Sequence, residues 1–258
     1  MPVTATDIVF YGSQVMPEDD TTLEIGGAID LTTLVTFVDI GGTPSQIEML
    51  SDNAGDTTQQ MTVTGRLAGG AIVTETLTLN GTTVVPFVAT FERVLKFELD
   101  SVASGNVTVR KIAGGSNLGI FPTGVTTIRR VFYLASADVA GGSARDYYEK
   151  IFIKNEHPTL DLTEASIIEL ADPGGNVTFD LESTLDGSDT NGAGNSRLVA
   201  PGGYSFDSAT KSVANSGNHT AGAAQGVWMA LSLAAGDPPA KNTYTFREPV
   251  SYTHLTLP

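Results

Sequence analysis

The 258-residue chain contains no cysteine. A disulfide framework, a thiolate nucleophile and a thiolate-ligated metal are therefore excluded. Basic residues are also few: 14 lysines and arginines stand against 29 aspartates and glutamates, for a formal net charge of −15. No basic residue precedes Arg66, whereas ten acidic residues do. Since an acidic surface repels phosphate groups, we expect neither nucleic acid nor an anionic membrane surface as a direct partner.

Long apolar segments are missing as well. No run approaches the ~18–20 residues that a membrane-spanning helix needs. Residues 1–13 lack the basic and apolar regions of a secretory signal. We therefore expect a protein that is made in a cytoplasm and leaves it, if at all, without such a signal. A hydrophobic content of 41% is sufficient for a packed core, which predicts a folded chain.

The clearest local pattern lies in residues 59–79. On its first arm Met61 and Val63 alternate with polar residues, and on its second arm Val73 and Leu77 alternate with threonines. A Gly-rich stretch separates the two arms. Alternation with a period of two predicts a hairpin that has one face on a core and one face in water.

Similar patterns recur along the chain, and helix-length amphipathic windows are scarce. The predicted strands of the first half are Ala28–Ile40, Gln46–Leu50, Gln59–Thr64, Ile72–Leu79, Phe91–Leu99 and Val107–Lys111. Those of the second half are Thr127–Leu134, Tyr147–Lys154, Ser166–Leu170, Asn176–Glu182, Arg197–Val199, Val227–Leu233 and Thr243–Arg247. Many short strands separated by turn residues predict an all-β protein with two antiparallel β-sandwich domains, the second immunoglobulin-like. In Phe91–Leu99 we expect Arg93 on the inward side.

The domain boundaries follow from the Gly, Ser and Pro clusters. The predicted organisation is an acidic N-terminal lead at 1–27, a first domain at 28–113, a linker at 114–124 and a second domain at 125–248. In the lead, Ile8–Tyr11 is the one predicted strand.

Residues suited to catalysis are sparse. Before residue 249 the histidines are His157 and His219, and no G-x-S-x-G motif accompanies either of them. The many carboxylates offer pairs for glycoside hydrolysis, but no pattern singles out two of them. We therefore predict a protein that is not an enzyme and uses no cofactor.

One segment has the composition of a calcium loop. Asp186, Asp189 and Asn191 lie in an oxygen-rich, Gly-containing stretch. The stretch lacks the D-x-[DN]-x-[DN]-G register and the closing Glu of a calcium-binding loop. A solvated turn is therefore favoured over a metal site, and the three residues stand as a weak candidate only.

Two long polar loops, Asp186–Asn195 and Ala209–Gly226, are candidate interaction surfaces. A carbohydrate-binding or adhesion module would need exposed aromatic side chains in these loops. Only Tyr204 and Phe206 lie nearby, which counts against this alternative. Trp228, the single tryptophan, lies in an apolar segment and is predicted to belong to the core.

The C-terminal residues Pro249–Pro258 resemble the translation of a transposase sequencing adapter. This resemblance implies an assembled environmental sequence whose natural C-terminus lies elsewhere. On that interpretation Tyr252 and His254 carry no function.

Several segments resemble structural proteins of tailed bacteriophages. They are Ala5–Asp20, Asp52–Lys111, Tyr147–Leu170 and Gly226–Phe246, of which the last two resemble strands of immunoglobulin-like domains in virion proteins. The resemblance implies a virion component of the head-decoration or minor-capsid type that binds other virion proteins, and a homo-oligomer is expected by analogy. A tail or baseplate component is the next alternative. No functional residue follows from the resemblance.

Overall fold

A computed structural model of the protein describes residues 3–18, 23–36, 38–132, 143–172, 174–236 and 245–248. Nearly all regular structure in these residues is β, so the prediction of an antiparallel all-β protein is confirmed. The immunoglobulin-like connectivity stays a prediction. Within the described residues, no helix is long and apolar enough to cross a membrane. The predicted adapter-like tail lies outside them.

Sixteen strands and two short helical turns make up the described structure. In chain order the strands are β1 (Ile8–Val15), β2 (Gly26–Leu34), β3 (Ile47–Ser51), β4 (Gln60–Leu67), β5 (Ile72–Thr78), β6 (Val85–Pro86), β7 (Phe91–Leu99), β8 (Val107–Lys111), β9 (Asn117–Phe121), β10 (Thr127–Arg129), β11 (Arg145–Asn155), β12 (Ser166–Ala171), β13 (Val177–Leu185), β14 (Lys211–Ser212), β15 (Ala224–Leu233) and β16 (Thr245–Arg247). The helical turns are Ala5–Asp7 and Ala214–Gly217.

The chain divides into two compact units, and one of them is discontinuous. Unit 1 comprises residues 1–30 and 132–258, and unit 2 comprises residues 31–131. The predicted lead therefore does not stand apart: β1 pairs antiparallel with β11, from Ile8↔Asn155 to Gly12↔Ile151. The predicted linker at 114–124 contains β9, which pairs with β8 inside unit 2.

Unit 2 is built from two sheets. In one sheet the neighbouring strands run β10–β7–β4–β5, and in the other they run β6–β3–β8–β9. The antiparallel pairing of β4 with β5 confirms the hairpin predicted from the alternation in 59–79. The rings of Phe97 and Phe121, one from each sheet, meet edge to face with their centroids 6.5 Å apart. Burial of the sides of the two sheets that face each other gives this unit its apolar core.

A β-bulge interrupts the pairing of β4 with β7 at Gly65. It places Val94 and Leu95 in succession in the core, although adjacent residues of a regular strand face opposite sides. The prediction that Arg93 points inward assumes regular alternation along the strand. In the bulged strand the Arg93 side chain is half-buried.

Unit 1 contains a sheet with the order β13–β15–β11–β1 and a smaller one with the order β14–β12–β16. The central strand β11 is buried on both faces from Glu149 to Ile153. The predicted strand at Arg197–Val199 is wrong, because these residues form a turn. Arg197 is buried there with its guanidinium 4.9 Å from the centre of the Tyr147 ring, a contact that local sequence does not encode.

Candidate functional site

A buried ion pair lies at the centre of unit 1. Lys150 on β11 and Glu182 on β13 have side chains that are 0% and 1% exposed, and their Nζ and Oε1 atoms are 2.6 Å apart. The strands β11 and β13 are not neighbours, since β15 runs between them. The two side chains meet over Gly226 of β15, where any β-carbon would overlap the Glu182 carboxylate. A glycine is therefore required at this point for the pair to form.

The remaining contacts of this pair come from the backbone. Lys150 Nζ also donates to Gly27 O at 2.7 Å and to Asp189 O at 3.1 Å. Glu182 Oε1 accepts from the Asp189 N–H at 2.9 Å. Among the described residues, Glu182 Oε2 makes no hydrogen bond. An orphaned oxygen in a dry interior is costly, so this carboxyl group calls for an explanation.

Aromatic rings complete the surroundings of the ammonium group. Lys150 Nζ lies 4.7 Å from the centre of the Phe152 ring and 5.7 Å from that of Trp228. Burial lowers the pKa of Lys150 and raises the pKa of Glu182, because each charged form loses water; their mutual attraction opposes both shifts. The site thus favours the neutral forms of both groups more than water does. Trp228 is fully buried, as predicted.

The weak calcium candidates are not brought together as metal ligands. The Asp186 carboxylate accepts from Ala224 N, the Asp189 carboxylate accepts from the Tyr204 hydroxyl, and the Asn191 amide oxygen accepts from Ile25 N. Among the described residues, no group of three His, Cys, Asp or Glu side chains is placed to hold a metal ion. The loop is fastened to the protein by these bonds.

The two histidines among the described residues, His157 and His219, are buried and hydrogen-bonded to their surroundings. His157 Nδ1 accepts from the backbone N–H groups of Thr159 and Leu160 at 3.2 and 2.9 Å. His219 lies between the Glu248 carboxylate, 2.7 Å from Nδ1, and Ala223 O, 3.0 Å from Nε2. Neither ring has a hydroxyl nucleophile among these partners.

Half-exposed aromatic residues form a cluster on unit 1. The ring of Phe206 lies 5.3 Å from that of Tyr148 and 6.5 Å from that of Tyr204, measured between centroids. Lys211 lies beside this cluster and bridges Asp207 and Asp180 at 3.0 and 3.3 Å. We name Tyr148, Tyr204 and Phe206 the aromatic cluster. It brings together the two residues that sequence reasoning singled out.

Strand β5 ends the sheet of unit 2. Leu67 N donates to Ala71 O, and Leu79 N donates to Gln59 O. Because bonded and non-bonded pairs alternate in an antiparallel ladder, the N–H and C=O groups of Thr74, Thr76 and Thr78 point away from β4. These three threonines are also exposed. We name this open row of backbone groups the β5 edge.

Comparison of the chain with protein-family models, curated proteins and solved structures finds no match. Of the three features above, sequence reasoning missed the Lys150–Glu182 pair and the β5 edge. A signal for the former exists: Glu149 and Lys150 are charged residues directly before the apolar run Ile151–Ile153. The partner at Glu182 depends on strand order, which a single sequence does not reveal.

Proposed function

We propose that the protein is a non-enzymatic structural component of a tailed-bacteriophage virion, which decorates or stabilises the head through contacts with other virion proteins. Two observations support the proposal. The segments named above resemble phage structural proteins, and unit 2 presents the β5 edge. The edge is the single structural observation on which the proposal depends, because it offers a surface for protein contact.

The β5 edge is suited to strand addition. Among the described residues, the N–H and C=O groups of Thr74, Thr76 and Thr78 have no partner, so they can bond to an extended segment of another protein. The exposed threonine side chains favour a neighbouring β-strand. Natural proteins usually block such edges with charge, proline or a covering loop. The outward row Thr74, Thr76 and Thr78 carries neither charge nor proline. Repeated copies on a particle would add avidity to each weak contact.

The direct test is to look for the protein in particles. Tailed particles from a lysate that carries the gene are purified on a density gradient, and the tryptic peptide 67–93 is quantified against the major capsid protein. We expect a constant ratio in the particle band, and separated heads and tails distinguish head decoration from the tail alternative. Recovery of the peptide only in the soluble fraction would overturn the proposal.

The role of the edge is tested by rebinding. Thr76→Pro removes one outward N–H, whereas Thr76→Ala keeps it. We expect the alanine variant to bind particles made without the protein and the proline variant to lose most binding. Equal binding by both variants would remove the edge from the interface, and the gradient result would still decide whether the protein is a virion component.

A second candidate function, carbohydrate binding, is favoured by the aromatic cluster. Half-exposed rings can pack on the apolar faces of sugars, and nearby carboxylates can accept hydrogen bonds from sugar hydroxyl groups. Phe206 lies at the middle of the cluster, and Asp207 follows it.

A glycan array with the full chain tests this candidate. If the cluster binds sugar, Phe206→Ala abolishes the signal, while Leu170→Ala, which truncates an exposed apolar residue elsewhere on unit 1, leaves it unchanged. Absence of any glycan signal, or an equal signal from both variants, would exclude the cluster as a sugar site.

A further inference from the structure

The Lys150–Glu182 pair has the geometry of two reactants. Its amine nitrogen and the carboxyl oxygen Oε1 are 2.6 Å apart, and this hydrogen bond holds the nitrogen beside Cδ, the carbon that it would attack. Both side chains are almost completely inaccessible to solvent. We propose that Lys150 and Glu182 condense to an intramolecular isopeptide bond after the protein has folded.

The backbone contacts of Lys150 suit a nucleophilic amine. A neutral amine has two N–H bonds and one lone pair. Gly27 O and Asp189 O are the two carbonyl acceptors of Nζ. If both N–H bonds point to these carbonyls, the remaining tetrahedral direction, that of the lone pair, faces Glu182. The same three acceptors would hold an ammonium ion before reaction, so one proton transfer along the 2.6 Å contact generates the neutral pair.

The contacts of Glu182 suit a carboxyl group under attack. Oε1 accepts from the Asp189 N–H, which would stabilise negative charge on that oxygen as Cδ becomes tetrahedral. Oε2 has no hydrogen-bond partner among the described residues and is free to leave. Of the two carboxyl oxygens, Oε2 is the one that no described residue holds by a hydrogen bond, and we assign it as the leaving group.

The reaction balances without a further reagent. Nζ forms a bond to Cδ of Glu182, and the bond between Cδ and Oε2 breaks. Of the three ammonium hydrogens, one stays on the amide nitrogen. The hydrogen first passed to Oε1 and one more from Nζ move to Oε2 in the tetrahedral intermediate, and Oε2 leaves as water. No atom is oxidised or reduced. The apolar walls formed by Phe152 and Trp228 keep bulk water away from the new amide and so oppose its hydrolysis.

Intact-mass spectrometry of the denatured full chain is the first test. We expect a mass lower than the sequence mass by one water molecule, about 18 Da. Trypsin should then release one branched peptide, in which residues 146–154 are joined to residues 155–197 through Lys150 and Glu182. The full sequence mass in a preparation with a native circular dichroism spectrum would overturn the proposal.

Variants assign the bond to this pair. Lys150→Arg and Glu182→Asp should both show the full sequence mass, since arginine does not condense and aspartate is shorter by one methylene. The matched control is the exposed pair Lys154 and Glu156, whose Nζ and Oε1 atoms are 3.4 Å apart. Lys154→Arg should retain the loss of water; if it abolishes the loss, the bond lies elsewhere.

A refolding series keeps the test independent of variant folding. Wild-type chain recovered unfolded in urea should have the full sequence mass and lose one water only after dilution into buffer. Gly226→Ala should slow or prevent this loss, because the added methyl group displaces the Glu182 carboxyl. Loss of water in urea, before folding, would contradict a reaction that depends on the folded site.

Discussion

Single carboxylates organise the loops of unit 2, and Asp56 is the clearest case. Its side chain accepts from the Ser51 hydroxyl at 2.6 Å and from the N–H groups of Ser104 and Gly105 at 2.9 and 3.0 Å. The Ser51 hydrogen bond is the largest cause of a lowered pKa at Asp56, and the two backbone bonds add to it against the effect of burial. One buried charge thus joins the loop after β3 to the loop before β8.

We expect Asp56→Asn to lower the free energy of unfolding by about 1–3 kcal/mol at pH 7, because the amide nitrogen cannot accept these bonds. The folded-state pKa is lowered, so the contribution of Asp56 is present above the unfolded-state pKa of about 4. It is lost as the pH falls through the folded-state pKa. Urea titrations from pH 7 to pH 3 should therefore show the difference between wild type and variant shrinking below about pH 4. The exposed Glu92→Gln control should cost little at pH 7.

At the scale of the element, glycines set how closely strands and rings approach. A β-carbon at Gly65 of β4 would lie 2.5 Å from Phe91 Cδ1 and 2.8 Å from Arg93 O. The Phe91 ring therefore covers a backbone position that has no side chain, next to the bulge. A bulge that is filled in this way is part of the packing of the sheet.

Gly65→Ala should cost roughly 1–3 kcal/mol of unfolding free energy, as overpacked cores do. The cost should be smaller in a Phe91→Ala background, since part of the clash is removed, and a double-mutant cycle measures this coupling. Gly69→Ala is the control, because a β-carbon there meets nothing within 4 Å. Equal costs of Gly65→Ala in both backgrounds would contradict the proposed contact.

The outward direction of the Thr76 N–H on the β5 edge also predicts how proline substitutions change the free energy of unfolding. Thr76→Pro should remain within about 1 kcal/mol of Thr76→Ala, because the N–H that it removes has no partner in β4. Leu77→Pro should cost more than about 2 kcal/mol, since its N–H faces β4 and its loss breaks the ladder. Denaturant midpoints of the three variants give the comparison. A large loss in Thr76→Pro would show that the assignment of outward groups is wrong.

Sequence pattern predicted the elements with regular alternation. The alternation of Met61 and Val63 located the β4–β5 hairpin, and the burial of Trp228 was also foreseen. β6 and β14 have two residues each, too few for a period to be visible. The Gly, Ser and Pro cluster around β9 predicts a linker, whereas the Leu118 and Phe121 side chains of this strand are buried. Long-range pairing decides such elements.

The candidate sites were foreseen only in part. Tyr204 and Phe206 are candidates by their residue type, but the contact of Phe206 with Tyr148 depends on how the loop folds back onto β11. Lys150 and Glu182 are 32 residues apart, and their contact needs the strand order β13–β15–β11 together with a glycine between them. Such an arrangement cannot be derived from spacing, because it depends on which strands become neighbours.

For the whole molecule, the chain segments that form each unit determine which fragments can fold alone. Residues 31–131 carry both sheets of unit 2 in one continuous segment. Unit 1 by contrast needs both of its segments, because β1 pairs with β11.

We expect the fragment 31–131 to fold on its own and to unfold cooperatively in urea. Asp56→Asn should destabilise the fragment and the full chain equally, since its partners all lie within residues 51–105. The fragment 132–258 should not fold alone, because its strand β11 then lacks β1. Dispersed amide resonances from 132–258, or their absence from 31–131, would contradict this division.

The pairing of Ile8 with Asn155 also has a consequence for biosynthesis. A ribosome adds about 5–20 residues per second, so β11 is synthesised roughly 7–30 s after β1. Until then β1 has no partner strand β11 to pair with. During that time residues 31–131 emerge as a complete unit and can become compact. A compact unit shortens the flexible loop that must close when β1 meets β11, and so lowers the entropic cost of that late step. The order of translation thus favours folding from the middle of the chain outward.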